Sequence, residues 1–118
     1  MKEIKAFIQP FMLHRVLDAL HQIEGVPAVT ISEVRGVSLK RHEYSQVVRS
    51  RLEIMVADDL VDKVLCAIQT HAHTGKPGDG RIFVIPIETT VAIRTGERGT
   101  GERSEDAPPS IPIAKGDQ

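Results

Sequence analysis

Apolar residues recur every second position at the start of the chain, where Ile4, Ala6 and Ile8 are set among charged or polar neighbours. That period is the mark of a half-buried strand. Pro10 interrupts its ladder, and from about Met12 to Ile23 the set Leu13, Val16, Leu17 and Leu20 changes to the i, i+3, i+4, i+7 spacing of an amphipathic helix. Gly25 and Pro27 end that helix. A β-branched run from Val29 through Ile31 to Val34 predicts a second strand, Gly36 opens a polar loop containing Lys40, Arg41 and His42, and Val47 or Val48 starts the return strand. Displaced by 48 positions, the opening segment falls on a second copy of itself. Ile4, Ala6 and Ile8 land on Leu52, Ile54 and Val56, and Leu13, Val16, Leu17 and Leu20 land on Val61, Val64, Leu65 and Ile68. Asp58 or Asp59 is placed to cap the second helix, and Gly75 lies just past its last turn. Ile82–Ile85 and then Thr89–Ile93 are strand-like. The order βαββαβ predicts an α+β, ferredoxin-like plait with two helices on one face of an antiparallel sheet.

Such a sheet leaves its other face open. Phe7 and Met55 fall there by periodicity and are too apolar to be left in water, so self-association is expected to cover them. The chain from Gly96 repeats Thr-Gly-Glu-Arg at 95–98 and 100–103 and then turns polar and proline-rich, which predicts one domain over 1–95 and a flexible C-terminal extension over 96–118.

Composition narrows the function. Lysine plus arginine (15) nearly balance aspartate plus glutamate (16), so no basic surface for coating nucleic acid is expected. Aromatics at 3% are too few to supply base-stacking platforms. Cys66 is the one cysteine, which leaves no disulfide framework or multi-cysteine zinc site and fits a reducing cytoplasm. The first residues form neither a long apolar run nor a signal-peptide pattern, so a soluble protein without membrane insertion is expected.

The segment richest in chemistry is Thr74–Arg81, TGKPGDGR, with three glycines and two cations between a helix end and a strand. Glycines let backbone N–H groups approach a phosphate, and Lys76 and Arg81 oppose its charge. The octamer reads equally well as a helix cap followed by a turn. It is no Walker loop, because the lysine is not followed by serine or threonine and a strand follows where a helix is needed.

Extended to TGKPGDGRIFV, residues 74–84, this segment resembles the B-loop signature of the PII signal-transduction (nitrogen regulatory protein P-II) family, and Ala92–Glu97, AIRTGE, resembles its C-terminal signature. The opening KEIKAFIQPF, Val29–Gly36 and Leu52–Val64 resemble the family in order and spacing; only 37–48 and the tail fall outside it. The resemblance implies a homotrimer with an adenine nucleotide (ATP, ADP or AMP) in each inter-subunit cleft, under a mobile T-loop. It places Gly78, Asp79, Gly80 and Arg81 around the phosphates, adds Arg49 and Arg94 as cations, and sets Thr30 and Gly36 beside adenine and ribose. Taken singly, each arginine reads as a solvated surface charge.

Two departures from the family matter. The T-loop is shortened to 37–48, with Gly36-Val-Ser-Leu-Lys40 at its base in place of the usual stretch carrying glutamine, and Tyr44 is the only tyrosine. Neither uridylylation nor firm 2-oxoglutarate binding is therefore expected. Ala92 stands where the family usually has arginine, which implies a shift toward ADP or AMP. Family paralogues of this divergent kind regulate transport, which points to a partner in bicarbonate, ammonium or metal transport, or to a metabolic enzyme. For bicarbonate, the candidate anion site is Lys40, Arg41 and His42 with Arg49. The rival is a CutA-like metal-binding trimer using His71 and His73, though two histidines without further ligands rarely fix a metal. No nucleophile stands out beside a general base, so an enzyme is not expected.

Overall fold

The structure, a computed structural model, describes residues 1–40 and 43–99, with the side chains of Lys40 and Glu43 excepted. Strand β1 (Lys2–Ile8) leads through a 3-10 turn at Pro10–Met12 into helix α1 (Leu13–His21); β2 (Thr30–Lys40) and β3 (Glu43–Val56) follow as a long hairpin. A second 3-10 turn, Asp58–Leu60, opens helix α2 (Val61–Ala72), and β4 (Gly80–Pro86) closes the plait. The sheet order is β2-β3-β1-β4, with every pair antiparallel. This is the ferredoxin-like α+β arrangement that the alternating and helical periods predict.

The repeat survives folding as a buried layer. Ile4, Ala6 and Ile8 of β1 and Leu52, Ile54 and Val56 of β3 meet Val16 and Leu20 of α1 and Val64, Ile68 and Ala72 of α2, all buried in one cluster. Each large aliphatic side chain removed from water here contributes about 1.5–3 kcal/mol before the cost of ordering it. One face of the sheet is covered in this way. The other shows Met55 at 44% and Phe83 at 45% exposure, with Phe83 edge-on to Phe7, ring centroids 6.2 Å apart. The open face is thus where the alternation puts it.

Three local expectations change. Residues 37–40 and 43–48 are no irregular loop: pairing continues through Val37↔Gln46 and Leu39↔Tyr44 to Lys40↔Glu43, so the return strand starts at Glu43. Leu39 opposite Tyr44, with Val37 and Val48 on the same face, makes a β-ribbon, although among the described residues those side chains stay uncovered (Leu39 76% and Tyr44 80% exposed). The predicted strand Thr89–Ile93 shrinks to β5 (Thr90–Val91), which leaves the main sheet and pairs with β6 (Arg98–Gly99). Paired backbone therefore runs past the predicted boundary at 95, because the Ala92 and Gly96 amides close a turn onto the carbonyls of Glu97 and Ala92. The rest of the expected extension, 100–118, lies outside the described residues. Finally, Asp58 makes no side-chain cap on α2. Its carboxylate accepts hydrogen bonds from the Met1 amino group and from Lys2 Nζ, which hold its pKa below the usual aspartate value.

Candidate functional site

The glycine loop joins the end of α2 to β4, and its shape is set by one carboxylate. Asp79 accepts hydrogen bonds from the Thr74 amide (2.8 Å), the Thr74 hydroxyl and the Gly75 amide (3.1 Å), folding the loop back on its own start. Gln9, just after β1, donates from Nε2 to the Gly78 carbonyl at 2.7 Å and ties the loop's crest to the sheet. Gly78 (φ +94°) and Gly80 (φ +111°) lie where L side chains rarely go. A methyl on Gly78 would sit 3.4 Å from Arg49 Nη2, so the strand β3 arginine already leans against the loop. Arg49 is anchored by Nη1 donating to the Val48 carbonyl at 3.0 Å.

Register shows which predicted residues share a surface. Thr30 pairs with Glu53, Gly36 with Val47, Val34 with Arg49, and Phe7 with both Arg51 and Arg81. All of these are on the sheet face opposite the buried layer, so Thr30, Gly36, Arg49 and Arg81 belong to one uncovered surface, with the loop at its rim. Arg81 also borders a cleft of about 350 Å³ shared with Phe7, Ile8, His73, Asp79 and Gly80. Arg94 stands apart. It is exposed in the β5–β6 turn and, among the described residues, makes no hydrogen bond or ion pair to the loop. Of the candidate anion residues, Arg41 and His42 lie outside the described residues and Lys40 is placed by its backbone alone.

Sequence reasoning missed three contributors. Gln9 carries a role that no motif announced. Arg51, on the same face as Arg49 and Arg81, donates from Nε to Ser32 Oγ at 3.1 Å; its place beyond Arg49 in the strand alternation was the available signal. His73 lines the cleft. As for metal binding, His71 Nδ1 lies 2.9 Å from the Ala67 carbonyl and His73 Nδ1 lies 3.7 Å from Asp79. Among the described residues no three of His, Cys, Asp and Glu gather to hold an ion.

Asp79's carboxyl is held below the usual aspartate range, first by the Thr74 hydroxyl, then by the Thr74 and Gly75 amides, with His73 a smaller influence. A depressed folded pKa gives stability that is present above the unfolded value and lost as pH falls through the folded one. The loop is therefore expected to loosen on acidification below the ordinary aspartate range. Amide exchange at Thr74 and Gly75 should speed up there, and Asp79→Asn should remove most of that pH dependence; unchanged protection at low pH would refute the brace.

Comparison with known proteins places this plait, whose glycine loop and arginines share an uncovered sheet face, in a family. The nitrogen regulatory protein P-II profile matches residues 1–97. The chain is 39% identical over 110 residues to the nitrogen regulatory protein P-II of Azospirillum brasilense, covering 84% of this chain and 96% of that one. The Haemophilus influenzae P-II protein is 41% identical over 108 residues (82% and 95% covered). A P-II homologue of Arabidopsis thaliana is 39% identical over 108 residues, covering 82% of this chain and 55% of the plant protein. The chain belongs to the P-II family of regulatory, signal-transducing proteins. No helix among the described residues is long and apolar enough to cross a membrane.

Proposed function

We propose that the protein is a nucleotide-reading P-II regulator: a homotrimer that binds ADP, AMP or ATP in clefts between subunits and signals the bound state through the β2–β3 ribbon. The observation that carries this reading is the loop itself. Asp79 and Gln9 pre-form a glycine crest against which Arg49 already lies, and Arg81 leaves it at the first position of β4 after Gly80. Pre-set amides and guanidinium groups bind phosphate with little further ordering. The site is one-sided in a single chain, with no bond from Arg94 to the loop among the described residues and the sheet face open, and a second copy on that face would supply its other wall while covering Phe7, Met55 and Phe83.

Signalling would follow from ordering. A phosphate held between loop and Arg49 stiffens the base of the ribbon, whose tip bears the exposed Leu39 and Tyr44 for a partner. A transporter of bicarbonate, ammonium or metal, or a metabolic enzyme, is the class of target we favour. Bicarbonate as a second ligand would use Lys40, Arg41 and His42 with Arg49.

Calorimetry and thermal shift with ATP, ADP and AMP test the reading. Saturating nucleotide at about 100 times its Kd should stabilise the native state by about 2.7 kcal/mol. ADP or AMP is expected to match or exceed ATP, because Ala92 supplies no charge for a third phosphate. Stabilisation by copper or zinc with none by nucleotide would replace this function with metal binding.

A further inference from the structure

Gln9 stands between the arginine strand and the glycine loop. The β1 ladder ends with Ile8 opposite Ser50 of β3 and Gly80 of β4, so the next residue, Gln9, emerges between Arg49 and Asp79. Its backbone is still extended (φ −65°, ψ 133°), and two positions beyond Phe7 it continues the alternation toward the uncovered face. Its Nε2 donates to the Gly78 carbonyl at 2.7 Å. Arg49 reaches the same residue from β3. Gln9 Nε2 and Arg49 Nη2 each lie 3.4 Å from where a Cβ on Gly78 would sit, so carboxamide and guanidinium flank one side of one glycine.

Only the carboxamide is committed there. Arg49 donates from Nη1 to the Val48 carbonyl, and among the described residues its Nη2 donates to no acceptor and meets no carboxylate. A guanidinium has five donors, and the nearby carbonyl at the turn crest is a ready acceptor for a spare one. The Gly78 oxygen has a second lone pair, but a second donor arriving on the side that Gln9 occupies would set two positively polarised hydrogens against each other.

We infer that Gln9 is a positioning residue for a nucleotide's phosphates, which acts by occupying the Gly78 carbonyl and so leaving the Arg49 Nη2 donors free to meet the anion. The inference rests on the nucleotide reading above and adds to it a residue and the way that residue acts. Without the carboxamide, Arg49 turns its spare donors onto the Gly78 carbonyl, and a phosphate must break that bond before it can be held. The net charge of the site is the same in either case, since glutamine carries none. What differs is how much of the guanidinium is pre-set for the ligand.

Calorimetric titration of the full chain with ADP tests this through a double-mutant cycle. Gln9→Met keeps the length of the side chain and removes its donor; it should weaken ADP binding about tenfold, the span of one lost charge-assisted contact. Arg49→Ala should cost about as much alone, yet little more when added to Gln9→Met, because the guanidinium is already withdrawn in that background. A brace that acted only on the fold would not couple the two in this way. Gln9→Glu, isosteric and without a donor, should bind more weakly still, since its carboxylate takes Arg49 itself. Gln9→Lys, whose ammonium can donate to the same carbonyl, should bind at least as tightly as wild type. Wild-type affinity in both Gln9→Met and Gln9→Glu, or fully additive losses from Gln9→Met and Arg49→Ala, overturns the inference and leaves nucleotide binding intact. Absence of ADP binding to wild-type protein overturns both.

Discussion

Gly80→Ala should destabilise the protein by about 3 kcal/mol or more, among the largest losses that a single added methyl can produce. Two separate costs combine. At φ +111° an L side chain is strained wherever there is room for it, and here there is none, because the new Cβ would collide with the backbone carbonyl of Phe7. That carbonyl belongs to β1 and cannot retreat like a side-chain tip without parting Ile8 from Gly80 and Phe7 from Arg81 in the β1–β4 register. Gly96→Ala is the matched control. At φ +74° with nothing within 4 Å of the added Cβ, only backbone strain of about 1–2 kcal/mol applies. Chemical denaturation of both variants separates the two costs; an equal loss in each would show that the Phe7 contact contributes nothing. Because Arg81 is next in sequence, Gly80→Ala should weaken ADP binding even where the protein remains folded.

What could be read from residues alone divides along a physical line. The buried layer was legible because burial imposes a period: Ile4, Ala6 and Ile8 recur as Leu52, Ile54 and Val56, and both triplets are buried. The ribbon at 37–40 and 43–48 was misread because its pairing is not enforced by burial. Ser38 faces Ser45 and Lys40 faces Glu43, so composition suggests a loop while the hairpin ladder continues by cross-strand pairing. β6 escaped notice for a similar reason, since Arg98–Gly99 has no apolar signature and pairs only through a turn closed by backbone bonds. Asp58 looked like a helix cap by position, but two cationic partners at the chain start outcompeted the helix amides for its oxygen.

In the candidate site, the glycines and arginines were legible through their family pattern, whereas the residues that fix them were not. Gln9 acts on Gly78 across 69 positions, and no local motif encodes such a contact. Asp79, which the family resemblance sets beside the phosphates, has its oxygens engaged by Thr74 and Gly75, which makes it the loop's internal brace. A carboxylate is an awkward phosphate ligand and a good acceptor for converging amides, so electrostatics favours the role that the geometry displays.

Arg81→Ala is expected to weaken ADP binding by about 30- to 100-fold, the span of a lost charge-assisted, forked contact. Its position makes the loss specific. Gly80 and Arg81 are paired with Ile8 and Phe7 in the β1–β4 ladder, so the guanidinium leaves the sheet from a strand position beside the loop rather than from the loop itself. Arg81 is exposed and, among the described residues, makes no ion pair, so removing it should leave the melting temperature of the unliganded protein nearly unchanged. Arg81→Lys should recover only part of the affinity, since an ammonium restores charge without the planar fork. Arg49→Ala should also weaken binding while loosening the contact with Gly78. Calorimetry on the four proteins, with thermal melts of each without ligand, separates affinity from folding. Wild-type affinity in Arg81→Ala would mean that phosphate is not held at this loop.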